Sequence, residues 1–585
     1  MNKVSNIIAK ILLKNKIKNV FAITGGASIH LIHSISKTKN MQCIFNHHEQ
    51  AGAMGADGLS RSTKLSISCA VSTSGPGATN LITGIGCSWF DSIPVIYITG
   101  QVTTFRLKNK LKIRQLGFQE TGIISIVKSI TKYSNQIRNP YKILYEIEKA
   151  IFIAKNGRPG PVLLDIPDDV QRMIIDEKKL IKFTPNKVSK KNVKNTSKVI
   201  DLINKSKRPT IIFGSGVNKY SDDKKILNFL NKTKIPFLTT WGAKSLLNNH
   251  KLNFGTFGTH GTRSGNFCVQ NSDLLIVIGS RLSTRETGSP IKLFARDAKI
   301  IIIDIDIHEI SKFKKLKKKI FLSYNNDSLD FINQFMKDAK NNIFFNKKNW
   351  VSYNLKVKET FKRKFSKSQN IDPYYFVKKL NDYLLPSTDM FVDTGSCLAW
   401  IMQDFKCSKN QNIYHDLNFT AMGWAIPASI GASTDKNRKN IVTVVGDGSL
   451  MVNLQEISLI NKYCEKLKLF IINNKGYAMV QQTEGEWLNN ENYGTSIKDL
   501  SFPNFKLLSK ANKLNYTSVK TTNDLKKINR ILKSNNNEVC EIFISPKKMV
   551  IPQVKFGSPI EDAHPLLKKE TLQENMLIKS IIRSD

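Results

Sequence analysis

Acidic residues are scarce in this 585-residue chain: 46 Asp and Glu stand against 89 Lys and Arg, a formal charge of +43. Such a balance invites a polyanion as partner. No stretch interleaves basic and aromatic side chains as a nucleic-acid groove would, however, and the lysines are spread along the whole length, often beside Asn and Ile. They read as compositional bias, with no nucleic acid as partner; drawing small anions toward a cleft is the weaker role left to them. Cysteine is sparse as well. The eight (Cys43, Cys69, Cys87, Cys268, Cys397, Cys407, Cys464, Cys540) contain no CxxC pair and no ligand-like spacing with His. That excludes a disulfide scaffold and a thiolate metal site, and points to reduced core thiols. No apolar run approaches the ~20 residues a bilayer requires. The start, Met1-Asn2-Lys3-Val4-Ser5, runs into a helical pattern without a signal-type apolar block. We therefore expect a cytoplasmic protein with no membrane contact.

What is present is a repeating α/β pattern. Short β-rich apolar runs alternate with helix-length amphipathic stretches from end to end, as in parallel sheets covered on both faces. A chain this long exceeds one core, so three domains of roughly 150 to 190 residues are expected. In the first third, strand candidates are Ile67–Val71, Val95–Ile98 and Val162–Ile166; in the middle third, Pro209–Phe213, Leu274–Ile278 and Ile300–Ile303. The last third offers Val442–Val445 and Leu469–Ile472. Polar Lys/Asn-rich stretches at Lys187–Lys198 and Lys337–Lys348 read as separators.

Two motifs carry chemistry. Asp447 follows a strand within Gly446-Asp447-Gly448-Ser449, and Asn473-Asn474 ends the next strand after a helix-length interval. An Asp carboxylate, an Asn carbonyl and a backbone carbonyl suit Mg2+, with phosphate oxygens completing the octahedron. The glycines let the backbone approach a diphosphate, and a helix starting near Ser449 aims its amides at it. Gly-Asp-Gly alone is a turn; its spacing to Asn473-Asn474 is what makes it functional. Some 400 residues earlier, Asn46-His47-His48-Glu49-Gln50-Ala51-Gly52-Ala53 sets an acid in a probable helix among small residues, which strip water from it as a proton-sharing acid requires.

Together these motifs resemble the thiamin diphosphate fingerprint, and the front of the chain is similar to the acetohydroxyacid (acetolactate) synthase branch of that superfamily. The resemblance rests on Thr24-Gly25-Gly26-Ala27, His48-Glu49-Gln50-Ala51, Thr73-Ser74-Gly75-Pro76-Gly77-Ala78-Thr79-Asn80, Ile93-Pro94-Val95, Thr99-Gly100-Gln101, Phe118-Gln119-Glu120 and Gly157-Arg158-Pro159-Gly160-Pro161, and covers nearly the whole chain. It implies three doubly wound parallel-sheet domains: a pyrimidine-binding domain at 1–180, a central FAD- or nucleotide-type domain at 190–340, and a diphosphate- and Mg2+-binding domain at 370–550, with a tail at 551–585.

The resemblance also assigns roles. Glu49 would protonate the far nitrogen of the cofactor's aminopyrimidine, which then serves as base toward the weakly acidic reactive carbon. Gln119 would face that carbon. Gly26, Gly395, Ser396, Cys397, Ala421, Met422, Gly448, Ser449 and Met479 would contact the cofactor, Met422 propping its bent shape, and Asp447, Asn474 and Gly476 would hold the metal. Phe118, Arg285 and Thr483 would line the substrate, the guanidinium gripping a carboxylate in bidentate fashion. In the central domain Gly214, Gly216, Gly258, His260, Arg281 and Asp304 match an FAD site of no redox function, with an empty or nucleotide-loaded domain as the alternative. Because family members place the acid of one subunit against the diphosphate domain of another, a homodimer is the minimum, a homotetramer and a regulatory small subunit being further assemblies the resemblance allows.

Departures bear on the substrate. Thr483 stands where the branch carries a tryptophan that selects the larger ketoacid, a loss of discrimination worth roughly 1–3 kcal/mol for one methylene. The segment Gly279–Arg285 lacks the usual acidic pair, Asp168 follows Pro167 where Lys is common, and Cys397-Leu398 replaces a His-Gln. The expected activity is decarboxylation of pyruvate with transfer of the two-carbon unit to a second carbonyl, giving acetolactate when that carbonyl is pyruvate. A keto-sugar or other bulky acceptor, or simple decarboxylation, are the alternatives.

Overall fold

A computed structural model describes all residues except 186–191, 219–222, 343, 345–346, 366–367, 409, 439, 490 and 582–585. Three six-stranded sheets follow one another along the chain, and every pairing within them is parallel. The expected strands are there because both faces of each sheet are covered, so the runs are apolar throughout rather than alternating. Val20, Ala22 and Ile98 enter one apolar layer of the first sheet, while Phe21 and Tyr97 enter the other. The central and last sheets are sandwiched in the same way.

Numbered in chain order within each sheet, the strands of the first (Asn19–Ala22, Gln42–Phe45, Ser68–Ser72, Val95–Gln101, Tyr133–Gln136, Val162–Pro167) lie in the order 2-1-3-4-6-5. Those of the last (Thr388–Val392, Asn412–Tyr414, Asn440–Gly446, Leu467–Asn473, Asn515–Val519, Glu538–Phe543) lie in the same order. The central sheet (Pro209–Phe213, Phe237–Thr239, Asn253–Thr256, Leu274–Ile278, Lys299–Ile303, Leu322–Tyr324) runs 3-2-1-4-5-6, the arrangement of dinucleotide-binding folds. In each case strand order reverses beside strand 1, and that crevice at the carboxyl ends is where a ligand is expected.

The outer thirds are welded to each other through small residues. Helix α1 (Glu49–Ser62) crosses helix α2 (Ala425–Ser433) so closely that a Cβ on Gly58 would lie 2.4 Å from the Ala428 backbone, and one on Gly431 2.1 Å from the Gly55 carbonyl. Only glycine fits there. Of the two expected separators, residues 187–191 of the first and 343, 345 and 346 of the second lie outside the described residues; helices begin at Ser197 and Lys348. The tail from 551 returns to the central sheet, where Arg296 pairs with Glu561 at 2.7 Å and Asn266 donates to the Ile560 carbonyl. Among the described residues no helix is long and apolar enough to cross a membrane.

Candidate active site

At the switch point of the last sheet, strand 3 ends on Gly446 and Asp447 begins a short helix. The Asp447 carboxylate is fully buried and accepts from the backbone N–H groups of Gly448 (2.8 Å), Lys475 (2.6 Å) and Gly476 (3.3 Å). Burial pushes its pKa up to about 6, partly offset by those amides. The terminal amide of Asn474 puts one atom 3.2 Å from Asp447 Oδ1 and 2.7 Å from the Gly476 carbonyl oxygen. With nitrogen there, it donates to both. With oxygen there, three oxygens converge at spacings that bracket the ~2.9 Å edge of an octahedron built on 2.0–2.1 Å Mg–O bonds. The donor set therefore fits Mg2+ without rebuilding.

A cavity of about 280 Å³ opens above this cluster. Its wall includes Gly395, Ser396, Cys397, Met422, Gly448, Ser449, Asn474, Gly476 and Met479, together with Trp241, His260 and Arg285 from the central sheet. Gly395 sits at φ +109, a backbone only glycine adopts cheaply, and a Cβ added there or at Gly446 would touch nothing of the chain. Space is reserved at both. Gly448 is required for another reason, since its Cβ would strike the Tyr477 ring at 2.2 Å. The Ser449 hydroxyl is turned toward Asp393 (2.9 Å), and Ala421 lies behind the wall, its N–H on Asp416 (2.8 Å). Cys397 faces the Asp393 carbonyl at 3.5 Å, its thiol pushed up to about 12 by burial, so it contributes bulk and not charge.

Asp393, which sequence reasoning missed, organises this half-site. Fully buried after strand 1, it accepts from the N–H groups of Thr394, Gly423 and Ala425 as well as from Ser449. The signal available was its position, an acid directly after an apolar run and before Thr394-Gly395.

Glu49 is elsewhere. At the N-terminus of α1, half-buried, its Oε2 accepts from Asn80 Nδ2 at 2.9 Å, and a Cβ on Gly77 would lie 3.1 Å from its Oε1. Gln119 joins this second cluster, its side chain packed over Gly75 and its backbone at φ +64, while Phe118 is 84 % exposed. A Cβ on Gly26 would again meet nothing. The chain thus assembles two half-sites, and it does not bring Glu49 to the wall of the cavity above Asp447.

The residues matched to FAD do not share one space. His260 lines the 280 Å³ cavity, its Nδ1 3.1 Å from Thr259 Oγ1, and burial pushes its pKa down to about 4. Gly216, Arg281 and Asp304 border a separate cavity of about 80 Å³. Across its mouth Arg158 bridges Asp306 and Glu309, each at 2.9 Å. Gly214 backs onto the Gly279 carbonyl and Gly258 onto the Arg285 carbonyl, at 2.1 and 2.3 Å from an added Cβ. The residues matched to a flavin site are thus divided between two spaces in this chain. Arg285 lies with its guanidinium 4.7 Å over the Trp241 ring. Thr483 is exposed on the outer side of its helix, its hydroxyl donating back to the Met479 carbonyl, whereas Met479 and Val480 one turn earlier form the wall.

Three parallel-sheet units, with an acid half-site on the first and a Mg2+-type oxygen cluster under a glycine-lined cavity on the last, define a thiamine pyrophosphate enzyme. The sequence matches three family descriptions accordingly: "Thiamine pyrophosphate enzyme, N-terminal TPP binding domain" over residues 2–125, the central domain over 196–326 and the C-terminal TPP binding domain over 393–541. It is 32% identical over 607 residues to the probable acetolactate synthase large subunit of Methanocaldococcus jannaschii, covering 99% of each chain. To the acetolactate synthase large subunit of Lactococcus lactis it is 30% identical over 559 residues, 94% of each. To chloroplastic acetolactate synthase 2 of Nicotiana tabacum it is 29% identical over 583 residues, 96% of this chain and 85% of that one. The chain belongs to the thiamine pyrophosphate enzymes, within the acetolactate synthase large-subunit family.

Proposed function

We propose that the protein is a thiamin diphosphate- and Mg2+-dependent acetolactate synthase, which decarboxylates one pyruvate and joins the remaining two carbons to a second. The observation that carries this reading is the convergence of Asp447 Oδ1, the Asn474 amide and the Gly476 carbonyl under a cavity with free space at Gly395 and Gly446. Thiamin diphosphate supplies a carbon nucleophile that stabilises the charge left by departing CO2.

The chain's own residues do the rest. Asp447, Asn474 and Gly476 would hold the metal, and the Gly395–Cys397 turn would let the backbone approach the diphosphate. Met422 and Met479 wall the cavity with apolar surface and keep water from the reacting carbon. Glu49, steadied by Asn80, would hold a proton on the aminopyrimidine's far nitrogen, leaving the exocyclic amine free to act as base. Gln119, with Phe118 beside it, would face the reacting carbon. Arg285, already desolvated and with no carboxylate within ion-pair distance among the described residues, takes the carboxylate of the acceptor.

Since Glu49 lies in one half-site and Asp447 in the other, the working unit is a homodimer in which each chain completes its partner's site, an isologous arrangement. Relatives named as large subunits support a small regulatory subunit as a further partner. The units we assign are 1–180, 190–340 and 370–550, with the tail 551–585; a cytoplasmic location accords with eight buried, unpaired cysteines. A bulky acceptor and simple decarboxylation are not favoured, because the full-length relatives are acetolactate synthases and Arg285 lines the cavity. The purified protein, given labelled pyruvate with thiamin diphosphate and Mg2+, should release labelled CO2 and acetolactate. Acetaldehyde without acetolactate refutes the reading.

A further inference from the structure

The segment His415–Ala425 carries Met422 into the cavity, and much of what holds it comes from the first third of the same chain. Asp91 accepts the N–H groups of Leu417 (2.8 Å) and Asn418 (3.2 Å), and the Asn418 side chain at 2.6 Å. Asp57 accepts the indole N–H of Trp424 at 2.9 Å. Between these two carboxylates lies Arg61, donating to Asp57 and Asp91 at 2.6 Å each and to the His415 carbonyl at 2.8 Å, with its guanidinium 5.0 Å over the Trp424 ring. Asp57, Arg61, Asp91, His415 and Trp424 are buried or nearly so, so the bonds among them are made where water cannot replace them, while Leu417 and Asn418 are half-buried. Phe419 adds a stack on Phe90 at 5.1 Å.

Asp57 and Arg61 sit on α1, the helix whose first residue is Glu49. Twelve helical steps separate Glu49 from Arg61, about 18 Å. We propose that Asp57, Arg61 and Asp91 are positioning residues for the diphosphate half-site of their own chain: they hang the Met422 segment, so that one rigid helix serves two cofactors in the dimer, Glu49 at the partner's and Arg61 at its own. The second half of this statement rests on the dimeric reading above. The first half does not.

Differently tagged chains, co-expressed and purified as mixed dimers, separate the two. Glu49→Gln paired with Asp447→Asn should recover about half of wild-type activity, because one intact site is rebuilt; no recovery refutes the dimeric reading, and with it the shared helix. In mixed dimers with Glu49→Gln on one chain, the single live site uses that chain's own diphosphate half. Asp91→Asn added to that chain should raise the thiamin diphosphate activation constant at least tenfold with the pyruvate KM within threefold. Placed on the other chain, it should leave the activation constant at the value of the Glu49→Gln/wild-type dimer. Equal effects from both placements, or an effect only from the second, overturn the proposal. If complementation fails, the Asp91→Asn homodimer still decides the positioning part, a change below threefold in the activation constant overturning it. Trp424→Phe, which removes the N–H given to Asp57 together with the pyrrole part of the indole and keeps an aromatic ring under Arg61, repeats the comparison should Asp91→Asn chains not assemble.

Discussion

The first and last sheets share one strand order and do opposite things with it. In each, strand 1 runs into a glycine turn, Thr24-Gly25-Gly26 in the first and Thr394-Gly395-Ser396 in the last. In each, strand 6 buries a carboxylate against its neighbours: Asp165 accepts from Thr99, Gln101 and Gln136, and Glu541 from Asn473 and Tyr516. The difference lies after strand 3. There the first sheet has Thr73-Ser74-Gly75 and packs it against Gln119; the last has Asp447, fully buried beside the Asn474 amide and accepting from the N–H groups of Gly448, Lys475 and Gly476. Topology supplies a crevice at the switch point, and the residue at the end of strand 3 decides whether a cation is held there.

This contrast predicts that changes in the last sheet act on cofactor affinity, and changes in the first on proton transfer. The largest effect is expected for Asp447→Asn. Removing a direct ligand should exceed the 10–100-fold loss typical of an outer metal partner and reach roughly 1,000-fold in activity, and the rise in thermal midpoint on adding thiamin diphosphate and Mg2+ should vanish. Retained stabilisation by the pair would break the comparison. Next, Glu49→Gln should slow hydrogen exchange at the cofactor's reactive carbon by about 100-fold, within the range of general acid–base effects, with cofactor affinity changed only a few-fold. Unchanged exchange would take Glu49 out of the mechanism. Asn80→Ala removes the amide that steadies Glu49, a hydrogen bond worth about 1–1.5 kcal/mol, so the same exchange should slow about tenfold and affinity should again hold.

The smallest effect concerns stability. Burial raises the Asp165 carboxyl to about 6, so the native state keeps a proton that the unfolded chain releases near pH 4. Ionisation therefore costs stability as pH climbs from about 4 to about 6, and up to ~3 kcal/mol stands against the fold above that. Asp165→Asn should raise the thermal midpoint at pH 8 and leave it nearly unchanged at pH 4.5, with the activation constants for the cofactor unaltered. A gain confined to low pH would contradict the assignment.

Much of this was legible without coordinates, and for a physical reason. Central strands buried on both faces must be apolar throughout, so Val162–Ile166, Leu274–Ile278 and Val442–Val445 announce themselves. Edge strands such as Tyr133–Gln136 and Asn412–Tyr414 need no such run and left no signal. Asp447 and Asn474, proposed above as metal ligands, stood out in the sequence because such a ligand set has a fixed composition and sits at strand ends. Asp393 was not, since an acid after a strand looks like any turn acid until three backbone amides are seen converging on it.

By itself, then, the sequence determined which elements form, which of their ends carry chemistry, and that the chemistry is that of a diphosphate cofactor, because periodicity and residue type are local properties. Only the tertiary structure decided that Glu49 and Asp447 stay in separate half-sites, that the flavin-type residues fall into two spaces, and that Asp57, Arg61 and Asp91 reach over to hold the Met422 segment. The last of these goes with the close crossing of α1 and α2 at Gly58 and Gly431, a contact between residues more than 350 positions apart that no local pattern encodes.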